Sequence, residues 1–425
     1  MYFTLSLVFI ALLIIGFLFE KSLEILNASY YTKAIPAIFK DFFSQEDEDK
    51  NYKYKKAKFK YALIDSSIGF LMTFLFWYLG GFGALSTWIE NISSNTILNS
   101  LFFFGILGLV SSLVSLPFSY YFHFVLEEKF GFNKMSMKTF ILDQLKSLLL
   151  MAILGGGLLS LVVWIYQANP EGFWWMVWIG LSGFMIFMTA FYAQLIVPLF
   201  NKQSKLEEGD LKSSIEKMAT QLDFKLQNIY VMDGSKRSTK ANAYFTGLGK
   251  QKRIVLYDTL IKDLETKEII AVLAHEVGHY KHKHTLWNIL IGLLQTGFML
   301  YILSLFIAPH SQMSLWLNQV VAQNPYMNQS HFYLGLIGFA ILYSPISTIL
   351  GILMNILSRK FEFQADAFAK KHKLAEELKS SLLKLSKNSL SNLNPHPFYV
   401  FVNYSHPTVY DRCVRLSDIN IDSND

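Results

Sequence analysis

The sequence predicts an all-α integral membrane protein of seven transmembrane helices, with a small cytoplasmic subdomain that contains a short β-element. Three observations lead there. The 425-residue chain is 52% hydrophobic and 16% aromatic but only 16% charged, where a soluble domain carries about 25% charged residues. Seven apolar segments reach the roughly 20 residues that cross a bilayer. The loops between them sort by charge.

The segments run from about Tyr2 to Leu18, Ile68 to Ile89, Leu98 to Phe122, Leu148 to Tyr166, Phe173 to Phe200, Trp287 to Ala308 and Phe332 to Leu357. No Lys or Arg precedes the first and no small-residue cleavage site follows it, so it is expected to be a retained span and not a secretory signal. Residues 90–97, 167–172 and 309–331 contain no Lys or Arg, whereas residues 20–60, 123–147 and 201–286 contain many or several. Basic loops mark the cytoplasmic side. Seven crossings then put the N-terminus outside and the C-terminus inside. A re-entrant or interfacial course for the second or fifth segment is the alternative. Within the spans, Gly155-Gly156-Gly157 permits close helix approach or a bend, and Pro117 and Pro345 suggest kinks. Glu127, Glu128 and Lys129 are expected at the cytoplasmic boundary, just past the third span.

The net charge of +6 is spread over several loops, so membrane topology accounts for it and no nucleic-acid partner is expected. The single cysteine, Cys413, excludes an internal disulfide framework and a multi-Cys metal site.

Just before the sixth span stands His275-Glu276-Val277-Gly278-His279. On a helix, positions i and i+4 share a face, so both imidazoles can point at one metal ion. Glu276 lies one step round, where it can address a water on that metal. Two neutral nitrogen ligands and an adjacent carboxylate suit a hydrolytic zinc site, with one zinc ion per chain. The apolar stretch Ile269-Ile270-Ala271-Val272-Leu273-Ala274 leads into the motif, and three polar groups on a buried flank are costly without a shared partner. A solvated helix end with incidental histidines is the alternative, since His282 and His284 follow.

Two histidines leave zinc short of a third protein ligand. Glu362 lies just beyond the seventh span, as the histidines lie just before the sixth, so both fall at the same cytoplasmic end of the bundle. Asp366, four residues on, shares its helical face and can accept the N–H of a ligand histidine. A solvated acidic pair beside Arg359 and Lys360 is the competing reading. Residues 201–425, with the sixth and seventh spans at about 287–308 and 332–357, form the metallopeptidase domain of this reading; residues 1–200, with five spans, form the membrane region before it.

Within the metallopeptidase domain, residues 228–258 read as short strands broken by turns. Ile229 to Met232 precedes Asp233-Gly234, Ala241 to Thr246 precedes Gly247 and Gly249, and Arg253 to Tyr257 follows. An exposed edge there could add an extended peptide as an extra strand. A β-element that only caps the domain is the alternative.

Taken together, the ordered blocks resemble the integral-membrane zinc proteases typified by CAAX prenyl protease 1. They include Glu127-Glu128-Lys129-Phe130-Gly131-Phe132-Asn133-Lys134, Pro198-Leu199-Phe200-Asn201-Lys202, Met232-Asp233-Gly234-Ser235-Lys236-Arg237-Ser238 and Asn242-Ala243-Tyr244-Phe245. They continue through Ala274 to His284-Thr285, Phe361-Glu362-Phe363-Gln364-Ala365-Asp366, Tyr404-Ser405-His406-Pro407 and Arg412. The resemblance implies a chambered barrel of seven spans, with the zinc site opening into a large water-filled chamber near the cytoplasmic side. It implies that His275, His279 and Glu362 bind zinc, that Glu276 is the catalytic base, and that Asn242 and Ala243 lie on an edge strand holding the substrate backbone. His406 and Arg412 are implied to face the scissile carbonyl or its oxyanion.

The chain departs from the eukaryotic pattern in three respects. Lys240 stands where those members carry His, the long insertion between the last two spans is missing, and Asp422-Ser423-Asn424-Asp425 holds no dilysine signal. These point to a bacterial inner membrane, with the endoplasmic reticulum as the alternative. The expected activity is hydrolysis of a peptide or protein substrate, lipidated or not, near its C-terminus, in contact with membrane lipids. A quality-control protease acting on misfolded or stalled proteins is the alternative. The intact Glu276 argues against a silent scaffold that kept a structural zinc.

Overall fold

The computed structural model describes residues 1–224, 226, 228–246, 253–309 and 311–417. The expected glycine turn at Gly247 and Gly249 and the terminal Asp422–Asp425 segment lie outside the described residues. Among those described, seven helices are long and apolar enough to cross a membrane: Tyr2–Ser29, Gln45–Tyr78, Thr96–Glu127, Met137–Ala168, Phe173–Phe200, His284–Ile307 and Phe332–Lys371. All seven expected segments are thus found, with altered limits.

The second differs most. The apolar run Ile68 to Ile89 is two helices, because Gly80 takes a left-handed φ of 77° and starts a separate helix, Gly81–Glu90. Gly83 of that short helix lies so close to the backbone of Ala322 that a Cβ would meet its carbonyl oxygen at 2.3 Å. The fifth breaks at Leu195, and Pro198 starts a final turn, Val197–Phe200. The third runs on through a wide π turn, Phe122–Glu127, and the fourth carries a π turn at Met151–Gly155, where the three glycines begin. Pro117 and Pro345 lie inside continuous helices.

In the most apolar window of each span, 0–11% of the residues are buried. A solid bundle would bury one stripe of every helix. Helices accessible on both faces suit a hollow ring, with lipid outside and water within. The packed apolar cluster is confined to one end, where Trp77, Phe103, Phe173, Leu317 and Tyr333 meet. That is the end of the loops that lack basic residues.

At the opposite end, a four-stranded sheet packs beside helices. Its strands are β1 (Gln203–Lys205), β2 (Asn228–Met232), β3 (Ala243–Thr246) and β4 (Arg253–Tyr257), in the order β1-β2-β4-β3. The β2–β4 pair is parallel and the other two are antiparallel. β1 has no apolar alternation, so strand patterning does not reveal it. β3 is an edge strand, paired only with β4 in the sheet. Ile254, Leu256, Ile269, Leu273, Ala274 and Val277 share one buried core with helices Asp210–Gln221 and Ala375–Asn388. The family-like blocks meet at this junction. Asp233 accepts from the Lys202 N–H at 2.8 Å, and Arg237 forms a bidentate pair with Asp143.

Candidate metal centre

The motif lies on the helix Thr266–Lys281. A reciprocal capping box of Glu265 and Glu268 starts it, and Lys384 anchors Glu268 at 2.7 Å. One face, carrying Ile269, Leu273 and Val277, is buried in the sheet-side core, and His275 turns toward the seventh span. That span is 40 residues long, about 60 Å, against a hydrocarbon core of about 30 Å. Its second half therefore projects past the membrane and carries Glu362 and Asp366 on the same rigid rod. The two helices approach closely at Gly278, where a Cβ would lie 3.0 Å from the Ala365 Cα and 3.0 Å from the Phe368 Cβ.

Three expected ligands converge. His275 Nε2, His279 Nε2 and the Glu362 carboxylate each offer an atom, all within 4.8 Å of one another. The two Nε2 atoms are 3.2 Å apart, His279 Nε2 is 3.3 Å from Glu362 Oε1 and His275 Nε2 is 3.5 Å from Glu362 Oε2. Both Nδ1 atoms have other partners. His275 Nδ1 meets Asp366 Oδ1 at 2.8 Å, the carboxylate expected to fix its tautomer. His279 Nδ1 meets His284 Nδ1 at 2.9 Å, and His284 Nε2 meets Gln364 Oε1 at 2.9 Å.

Only one proton order satisfies that chain. Gln364 Oε1 accepts, so His284 donates from Nε2 and accepts at Nδ1. His279 then donates from Nδ1 and keeps a lone pair on Nε2. Two nitrogen lone pairs and a carboxylate facing one point repel unless a cation lies between them. The residues therefore fit a metal, and two imidazoles with a carboxylate match the donor chemistry of hydrolytic zinc sites. Burial lowers the His275 imidazole, but hydrogen bonds to Asp366 and Glu362 outweigh it and hold it above its ordinary value.

His284 was not singled out by spacing. It opens the sixth span after Lys283, whose φ of 59° turns the chain back so that His284 faces His279. Its ring stacks on Phe361, with centroids 4.0 Å apart.

Glu276 is half-buried and has no hydrogen bond or ion pair among the described residues. Burial pushes its carboxyl above the usual range, against the pull of His275 and His279. It stands beside the donor cluster.

Arg412 is also at the site. It lies on helix Val409–Leu416 and is 9% exposed. Its Nε and Nη2 grip both oxygens of Asp366 at 2.9 and 2.6 Å, and its Nη1 is 3.5 Å from Glu362 Oε2. Burial lowers the guanidinium, and Asp366 more than offsets it, so the group is firmly cationic. His406 is the exposed partner: its ring is 65% accessible, with Nε2 3.4 Å from Glu362 Oε1. Arg359 holds the segment before it by donating to the Val400 and Tyr404 carbonyls.

Asn242 and Ala243 lie at the start of β3. The Tyr257 N–H donates to the Asn242 carbonyl at 3.0 Å, so by antiparallel alternation the Ala243 backbone faces the free edge. The Ala243 N–H is taken by the Asn242 side-chain oxygen at 2.8 Å. An incoming peptide carbonyl could replace that contact.

Comparison with known proteins agrees over nearly the full length. Residues 25–202 match the family described as CAAX prenyl protease N-terminal, five membrane helices, and residues 205–420 match peptidase family M48. CAAX prenyl protease 1 of Saccharomyces cerevisiae is 35% identical over 408 residues, covering 91% of this chain and 89% of that one. The homolog of Dictyostelium discoideum is 39% identical over 386 residues, covering 89% and 88%. The crystal structure of S. mikatae Ste24p is similar with a TM-score of 0.88 at 35% identity, over 97% of this chain and 98% of that one.

Proposed function

The chain belongs to the CAAX prenyl protease 1 family of M48 membrane zinc metalloproteases, and from that premise we propose how its residues cut peptides and which peptides they take. His275, His279 and Glu362 hold one zinc ion, with Asp366 and His284 fixing the two imidazoles. Zinc bound there supplies a water with a pKa of about 7 and polarises a carbonyl. Glu276 takes the proton as water attacks the peptide carbonyl, and later returns it to the leaving amine. His406, exposed beside Glu362, donates to the developing oxyanion. Arg412 keeps the Asp366 carboxylate ionised and in place. Asn242 and Ala243 pair with the extended substrate, which presents one carbonyl at a time.

One observation carries this reading: three ligand atoms within 4.8 Å of one another, with an unpaired carboxylate one residue from the first histidine. The substrates are peptides cut near their C-terminus, lipidated or free, and the work is done against membrane lipids. The N-terminus lies outside and the zinc site faces the cytoplasm. For the membrane itself, Lys240 and the short connection between the last spans favour a bacterial inner membrane, while the eukaryotic origin of the relatives favours the endoplasmic reticulum. Clearance of misfolded or stalled proteins would use the same chemistry on longer chains.

The test is zinc analysis of purified protein, with cleavage of a peptide library that includes prenylated and plain C-termini and an unfolded protein. Short peptides cut near the C-terminus, and no cleavage by Glu276→Gln at full zinc content, are expected. A Glu276→Gln protein of undiminished activity would sink the mechanism.

A further inference from the structure

A cavity of about 680 Å³ has His406 in its wall, and His406 Nε2 is 3.4 Å from Glu362 Oε1. Two lysines also line it, Lys58 from the second span and Lys240 from the segment just before β3. Their ammonium groups stand over the same Tyr54 ring, at 5.7 and 5.4 Å from its centre.

The charges around them do not balance. Glu127 from the third span is buried, and both of its oxygens are occupied. Lys240 meets Oε2 at 2.6 Å, and the Tyr54 hydroxyl donates to Oε1 at 2.5 Å. The third lysine of the wall, Lys55, is matched by Glu48 at 2.9 Å, and the wall's Glu24 is matched by Lys21 at 2.5 Å. Lys58 has no hydrogen bond or ion pair among the described residues and is exposed to the cavity. Two cations therefore share one carboxylate, and the spare charge sits in a concavity where water competes less well.

We propose that Lys58, with the Lys240–Glu127 pair beside it, is a subsite for the terminal carboxylate of the peptide, on the leaving side of the scissile bond. This rests on the peptidase reading and sharpens it. The cavity has the size of a pocket for a short peptide segment. A carboxylate held at Lys58 would then set where the cut falls, a fixed small number of residues from the C-terminus.

Binding separates this from catalysis. The zinc-loaded, full-length Glu276→Gln protein is titrated with a fluorescent heptapeptide ending in a free carboxylate and with its C-terminal amide. The acid is expected to bind about tenfold tighter, the scale of one charge-assisted contact. In the same background Lys58→Gln should bring the acid to the level of the amide, and Lys58→Arg should retain the preference. Equal affinity for acid and amide, or an undiminished preference in Lys58→Gln, overturns the subsite. Cleavage of both peptides by the unmodified protein with no such preference overturns the subsite alone. A Lys58-dependent preference in binding without any cleavage upholds the anion site and overturns the peptidase reading.

Discussion

At the scale of single residues, the centre is held by what lies behind the ligands. Glu362→Ala removes one of three donors and is expected to abolish stoichiometric zinc, read by elemental analysis; a full complement of zinc would refute its ligand role. His284 tests the layer beyond. Among the described residues its Nδ1 is the acceptor for the His279 Nδ1 proton, at 2.9 Å, so His284→Ala lets the proton move to Nε2, the atom the metal needs. Zinc affinity should fall about 10- to 100-fold, measured by competition with a chelator, with the fold intact by circular dichroism. An unchanged affinity would mean that His279 keeps its tautomer without help. This residue also marks where sequence reading stopped. His275, Glu276 and His279 were legible because a helix puts i and i+4 on one face, and Glu362 because it lies at the same membrane level. His284 is five residues past His279, a spacing no regular helix aligns, and it arrives only through the left-handed turn at Lys283. Arg412 was legible as a participant, but its grip on Asp366, 46 positions earlier in the chain, is a tertiary contact that no local pattern shows.

At the scale of elements, the centre depends on how closely two helices pass. Gly278 lets the motif helix lie against Ala365 and Phe368, with no room for another carbon. In isolation Gly→Ala would favour the helix by about 1 kcal/mol. Here overpacking costs about 1–3 kcal/mol, and the strain falls on the joint between His275 and Glu362. Gly278→Ala is therefore expected to lower zinc affinity and thermal stability together. A rise in the melting temperature with unchanged zinc binding would show that the neighbours yield and that the gap is not set by this glycine. The element pattern itself was readable where apolar runs are long. It failed at Gly80, where a backbone turn splits one apolar run without any change in composition, and at β1, whose Gln203-Ser204-Lys205 gains its partner only from the ladder with β2.

At the scale of the whole molecule, the two ends of the barrel differ in kind, and that difference orients it. The packed aromatic end holds the loops without Lys or Arg; the open end holds the sheet, the motif helix and the basic loops. Basic segments resist translocation, so the metal end should face the cytoplasm. Thiol labelling can read this directly, because the one native cysteine, Cys413, is 1% exposed and gives little background. Ser94→Cys lies in the exposed turn at the packed end, and Glu208→Cys on the exposed stretch before helix Asp210–Gln221 at the open end. An impermeant maleimide applied to intact cells, or to sealed vesicles of known orientation, should label the first from outside and the second only after the membrane is opened. The reverse pattern would put the zinc site on the outer face and remove cytoplasmic peptides from its substrates. Labelling of both from one side would mean an even number of crossings between residues 94 and 208, which would require that the third, fourth or fifth helix fail to span. The 28 residues of Phe173–Phe200, whose helix breaks after Leu195, are the first to test in that event.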